Sequence, residues 1–381
     1  MRATRLVFLL MGLQLLAAQP KAAEAVVDPV ELLRPLRALQ DRVAQGDAEA
    51  RAGASALLGN IGEALRRVDA EAWKKPRNVR AALAFTLSGG EPGILQTILG
   101  LGVALENERL VQGALAYARG GGGEAQELIG DISALTLDPL IAGHVALVQA
   151  ELVAHSNPGR AIALLDEARL LAPGTLVEEA ALRRQVSLVG AAGRPEMLEA
   201  LSGQYLRRFP RSFYAGSFKQ QFAAELVGRK GAPLDTARLD AALLPLEATE
   251  QRDLYLLIAT EAIARGRMEL VRHAAGKAWR RAGNGTPQHM RAVTYEAAAL
   301  IVTGDFEAGF AALAGVERTK LEGEDVELLD AALSVAEHIR QLPAASAEPG
   351  PPPPGARASA KIEAARAAVA RVDAMLLRTG Q

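Results

Sequence analysis

The sequence predicts an all-α protein, a TPR-like solenoid of stacked antiparallel helical hairpins. Three observations predict it. The chain of 381 residues is half apolar and only 4% aromatic, and alanine and leucine, both strong helix formers, dominate it. Side chains that belong together recur at helical spacing: Leu140, His144 and Leu147 share one face, and Ile162, Leu165 and Ala168 share another. The punctuation also repeats, since Leu140 to Thr175 and Arg160 to Pro195 each span 35 residues. A recurrence of that length is the mark of a two-helix repeat, which buries its apolar face only by stacking on its neighbours.

Taken in order, the chain begins with an export signal over residues 1–25. Arg2 and Arg5 precede the apolar run Leu6 to Ala18, and Ala23-Glu24-Ala25 offers a small-x-small cleavage site. The apolar run is too short to cross a bilayer comfortably, and no cysteine is present for lipidation. Residues 26–135 read as N-terminal helical hairpins. Asp28 and Pro29 suit a helix start, although Pro35 moves the regular helix toward that residue. Leu32, Leu36, Leu39 and Val43 are expected inward, then Leu57, Leu58, Ile61 and Leu65 on a second helix. Trp73 packs a connection. Short helices follow over Asn78–Leu87 and Ile94–Leu101, and a longer one over Leu105–Arg119. Gly120 to Gly123 lacks the preceding strand and following Lys-Ser or Lys-Thr of a phosphate loop, so it reads as a helix–helix turn before Glu124–Ile132.

Residues 136–343 form the TPR-like region. Its first helices run over Leu140–Ala154 and Arg160–Leu171, from Thr175, and from Pro195 to the break at Pro210. Thr175 with Glu178 fits a capping box. Phe218, Phe222 and Leu226 share a face on the next helix. After the loop Lys230 to Pro233 comes a shorter segment, Asp235–Leu244, then a strong helix capped at Thr249. Leu270, Ala274 and Ala278 mark its partner; Thr286 caps another, and Asp325–Leu342 closes the array with Leu328, Ala332, Val335 and Ile339 inward. Residues 344–358 carry a proline-rich linker, EPGPPPPG, stiff and extended. Residues 359–381 hold an amphipathic segment with Ile362, Ala365, Val369, Val372 and Leu376 on one helical face.

Charge and chemistry narrow the function. There are 43 Lys and Arg against 44 Asp and Glu, with no basic stripe, so nucleic acid is not an expected partner. No cysteine is present, which excludes disulfides, thiolate-held clusters and thiol nucleophiles. No two of His144, His155, His273, His289 and His338 sit at i, i+4, and no G-x-S-x-G elbow occurs. Neither a catalytic constellation, a metal site nor a cofactor site is expected. Glu178 and Glu179, adjacent on a helix, point about 100° apart and make no acid/base pair. With two tryptophans, the chain is also poor in the aromatic platforms that a sugar-cleaving helical enzyme requires. A protein-binding surface is the remaining expectation for such an array.

The stretches LLDEARLLAPGTLVEEAALRR (Leu164–Arg184), QYLRRFPRSFYA (Gln204–Ala215) and WKKPRNVRAALAFTLSGGEP (Trp73–Pro92) resemble the MotC family, periplasmic motility proteins of alpha-proteobacteria with rhizobial-type flagella. The resemblance extends over Asp28 to Leu342 and weakens in the proline-rich segment. It implies a periplasmic protein needed for flagellar rotation that associates with the periplasmic part of the stator protein MotB. It carries no catalytic or metal residues onto this chain. Glu178, Glu179, Arg183, Tyr205 and Arg207 lie within the resembling stretches and are the expected contact surface. A generic periplasmic scaffold for envelope assembly or secretion would use the same fold.

Overall fold

The computed structural model describes residues 28–228 and 235–341. The segments expected to form an export signal, the loop around Lys230, a proline-rich linker and a C-terminal amphipathic helix lie outside the described residues. Within them the chain is helical throughout, with 17 α-helices and no strands. The helices are α1 (Pro29–Ala44), α2 (Ala48–Arg66), α3 (Pro76–Leu87), α4 (Gly93–Gly100), α5 (Glu108–Ala118) and α6 (Gly122–Ile129). The array continues as α7 (Pro139–Val153), α8 (Pro158–Leu171), α9 (Leu176–Ala191), α10 (Pro195–Arg208), α11 (Ala215–Gly228) and α12 (Thr236–Leu243). It ends as α13 (Ala248–Ala264), α14 (Met268–Trp279), α15 (Pro287–Thr303), α16 (Phe306–Ala314) and α17 (Glu324–Gln341).

Local chemistry sets most boundaries. The side chains of Asp28, Asp47, Asn107, Asp138, Asn157, Thr175, Asp235 and Thr286 each accept a backbone N–H at a helix start. Proline opens α1, α3, α7, α8, α10 and α15, where its missing N–H costs nothing. Consecutive helices pack as hairpins, α7 on α8, α13 on α14 and α15 on α16. From α7 onward the odd-numbered helices also pack side by side, α9 on α11, α11 on α13 and α13 on α15, forming one layer of the solenoid. The repeat expected from sequence returns as contacts: Arg169 donates to Gln204 and Thr260 to Tyr295, each pair 35 positions apart.

Four expectations are corrected. The first helix starts at Pro29, and Pro35 lies inside it on the exposed side, where water reaches the carbonyl it leaves free. Leu33 and Leu36 are its buried leucines, while Leu32 and Leu39 are half-buried. Thr249 sits within α13, whose N-cap is Glu247. On α17 the buried face is Leu329, Ala332 and Ala336, one position round from the expected face, and Val335 is 43% exposed.

Two apolar bodies dominate. The N-terminal one gathers Trp73, Phe85, Leu95 and Ile98 and continues without a break into Ile141, Val145 and Val148 of α7. The other centres on Tyr205, Phe218 and Phe222, with the Tyr205 and Phe218 rings stacked at 3.7 Å. The α1–α2 hairpin joins the two regions a second time. α1 packs on α3 and also on α9, far along the array. Its turn meets the loop between α10 and α11, where the Phe213 N–H donates to the Val43 carbonyl at 3.5 Å and Arg51 lies 4.8 Å over the Phe213 ring. Gly46 turns there with φ +91°, and a Cβ on it would fall 1.9 Å from the Arg211 carbonyl oxygen. Only glycine fits that approach.

Candidate partner groove

Bridging from α3 to α9, α1 encloses a groove of about 540 Å³ against α7 and α9. Its apolar wall is Leu140 and Leu147 of α7, Leu171 at the end of α8, and Leu176 of α9. The helical face Leu140, His144 and Leu147 read from the sequence is thus the groove face, half-buried, while Ile141, Val145 and Val148 fill the core. Its polar lining comes from Arg37 and Asp41 on α1, Ser88, His144, and Glu179 and Arg183 on α9.

Of the five residues expected on a contact surface, three are interior. Glu178 is 2% exposed, and Glu179 and Tyr205 are 0% exposed. Burial of carboxylates requires partners, and distant parts of the chain supply them. Glu178 Oε1 pairs with Arg208 Nε at 2.8 Å, and its Oε2 accepts the Gly174 N–H at 2.6 Å. It therefore ties α9 to α10 and closes the turn before Thr175 without bonding the Thr175 N–H. Glu179 Oε1 accepts the Tyr205 hydroxyl at 2.7 Å and the Ser212 hydroxyl at 2.6 Å. Burial first, then the charge of Glu179 and its hydrogen bond, hold the Tyr205 hydroxyl well above the ordinary phenol range, so it stays a neutral donor. The expected surface role of Glu178 and Tyr205 is corrected to an internal tie between α9, α10 and the loop after α10; Glu179, equally buried, joins that tie and also lines the groove.

Arg183 and Arg207 remain at the surface. Arg183 is half-buried at the groove edge, its guanidinium 4.3 Å over the Tyr214 ring and its Nε 3.8 Å from Glu179 Oε1. Arg207 is exposed near the end of α10. Their sequence neighbours are engaged, Arg184 with Glu151 and Arg208 with Glu178.

Sequence reasoning did not single out Arg37, Asp41, Ser212 or Tyr214. Nothing in the spacing of α1 signals that it lies against α9, and Ser212 follows a proline break with no periodic context. The sequence sets His144 on one face with Leu140 and Leu147 but gives it no metal-binding or catalytic partner. Its Nε2 lies 3.3 Å from Ser88 Oγ, and burial, with the nearby Arg37 charge, lowers its pKa to about 4.

The Glu179 tie has relatives along the array. Tyr117 donates to Glu151 at 2.8 Å, Tyr255 to Asp240 at 2.6 Å and Tyr295 to Asp325 at 2.5 Å. A cation completes each of them: Arg184 on Glu151, Lys277 on Asp240 and Arg291 on Asp325. Among the described residues no group of three or more histidines and carboxylates could hold a metal ion, and no helix is long and apolar enough to cross a membrane.

The family model described as "Chemotaxis protein MotC" matches residues 1–379. The chain is 32% identical over 317 residues to a "Chemotaxis protein MotC" of Rhizobium meliloti (strain 1021), covering 83% of this chain and 73% of that protein. No solved structure matches. A match over nearly the whole chain, together with a 32% identical relative covered over most of its length, places this helical solenoid in the MotC family of chemotaxis and motility proteins.

Proposed function

We propose that this chain works in the periplasm as a non-catalytic accessory of the flagellar motor, holding the periplasmic part of the stator protein MotB. The observation that carries the reading is the groove of about 540 Å³ between α1, α7 and α9, walled by half-buried leucines and rimmed by charges of both signs. Hairpin solenoids present such surfaces to other proteins rather than turning over small molecules. Family membership supports the motility role, and the export pattern in residues 1–25 supports the compartment. The ties at Asp240 and Asp325 support a rigid cradle, because each bonds helices that successive hairpins contribute, and the Glu179 tie braces the α9–α10 hairpin itself.

Deletion of the gene, with flagella and swimming scored separately, tests the role. The expected cells carry flagella and do not swim. Normal swimming of the deleted strain overturns the proposal, and co-purification of this chain with a secretion or envelope-assembly component in place of MotB turns it toward a general scaffold.

A further inference from the structure

On α9, Glu179 and Arg183 stand one turn apart, and both line the groove. Glu179 is 0% exposed, and while its Oε1 is saturated by Tyr205 and Ser212, its Oε2 has no hydrogen-bond partner. The Nε–H of Arg183 is likewise buried without an acceptor. Arg183 Nε faces Glu179 Oε1 at 3.8 Å, an ion pair too long to be a hydrogen bond. Buried polar atoms are nearly always hydrogen-bonded, so an acceptor and a donor that each lack a hydrogen bond, side by side in one groove, call for a group that supplies the complements. In an extended strand the N–H and C=O of one residue point to the same side, as they do when paired strands exchange both bonds. Such a residue would give its N–H to Glu179 Oε2 and take the Nε–H of Arg183 on its carbonyl. Aliphatic side chains flanking it would meet Leu140, Leu147 and Leu176, which are half-buried.

Charge selects further. Arg37 projects from α1 into the same groove, is exposed, and takes part in no ion pair among the described residues. It suits a carboxylate. Asp41, one turn on, would repel a second one. We propose that the groove binds an extended aliphatic peptide segment carrying one carboxylate, Glu179 and Arg183 reading its backbone and Arg37 its acid. The proposal rests on the groove being a partner surface, and it names the chemistry of the part that enters.

The test pans a phage-displayed random dodecapeptide library against the purified chain. The expected winners combine aliphatic residues with a single Asp or Glu. A synthetic winner should lose at least tenfold in affinity on Arg37→Glu, and regain much of it when its acid is changed to lysine. Because Glu179 supports the fold, its role is read from the peptide instead: N-methylation at one backbone position should cost about tenfold, and at the others little. Ala180→Trp, which fills the groove from the α9 wall, should abolish binding with the circular dichroism spectrum unchanged. No enrichment, or winners indifferent to Arg37→Glu and Ala180→Trp, overturns the inference. A parallel measurement uses the purified periplasmic part of MotB. Equal binding to wild type and Arg37→Glu sinks the groove inference and spares the stator reading. Absence of binding beside groove-selected peptides sinks the stator reading and spares the groove.

Discussion

The N-terminal helices α1–α6 and the array from α7 to α17 are built from the same residue types but held together differently. In the N-terminal region the interior is apolar, around Trp73, Phe85, Leu95 and Ile98. Its long-range ion pairs, Arg66–Glu91, Arg77–Asp28 and Arg109–Asp131, are largely solvated. In the array, carboxylates that are buried, as Glu179 is, or half-buried, as Asp240 and Asp325 are, are tied across helices by tyrosines and cations. Apolar burial is non-directional and makes a region compact. A buried hydrogen bond is directional, and a missing partner is costly, so it also fixes the angle at which one hairpin follows the next. The regular region is the one whose geometry is specified by polar ties.

Glu179→Ala should break that contrast most severely. It leaves the Tyr205 and Ser212 hydroxyls without their acceptor in the interior, at a cost of about 3–4 kcal/mol. Arg109→Ala in the N-terminal region removes a solvated pair with Asp131 and should shift the midpoint far less. Urea midpoints of the two variants measure the difference, and equal shifts would remove the basis of the comparison.

Acid should act where the two regions meet. His144 has its pKa lowered to about 4 by burial, then by Arg37, whereas in the unfolded chain it titrates near 6.5. Between those values the unfolded state takes up a proton that the folded state refuses. The stability contributed by neutral His144 is therefore complete above pH 6.5 and is lost progressively as pH falls toward 4, by up to about 3 kcal/mol. Unfolding free energy followed from pH 7 to pH 4 should show this slope, and His144→Gln should flatten it.

A third change separates the regions mechanically. Gly46→Val places side-chain atoms against the Arg211 carbonyl at a φ of +91° and should detach the α1–α2 hairpin from the loop after α10, at about 2 kcal/mol. Hydrogen exchange should then quicken in α1 and α2 and stay unchanged in α13–α17. A uniform increase would mean that the hairpin supports the whole array.

What the sequence made legible follows the range of the interactions. Caps and breaks act within a few residues, so Asp28, Thr175, Thr286 and the Pro173-Gly174 turn could be read directly. The 35-residue recurrence could be read because each hairpin must meet a copy of itself. Thr249 misled because a threonine at the second helical position looks like a cap, and the cap position fell to Glu247. Glu178 and Glu179 looked like surface charge because their partners, Arg208, Tyr205 and Ser212, are 26 to 33 positions away. The place of α1 over the groove left no trace in its spacing, since its contact with α9 reuses residues that any amphipathic helix carries.

The finest test of the comparison lies among the tyrosines themselves, where removing one hydroxyl should cost more the weaker the close partners its carboxylate retains. Glu179 would keep only Ser212 as a hydrogen-bond donor after Tyr205→Phe, for about 2 kcal/mol. Asp325 would keep a charged partner, the ion pair with Arg291 at 2.6 Å, after Tyr295→Phe, for about 1 kcal/mol. Asp240 would keep both His273 at 2.9 Å and Lys277 at 2.5 Å after Tyr255→Phe, so that loss should be the smallest, about 0.5 kcal/mol. Burial alone predicts no such order, because all three side chains are at most 3% exposed. If thermal unfolding ranks them Tyr205, Tyr295, Tyr255, the strength of the close partners left on each carboxylate governs the array. Three equal losses would instead mean that the aromatic packing, which phenylalanine preserves, carries the ties.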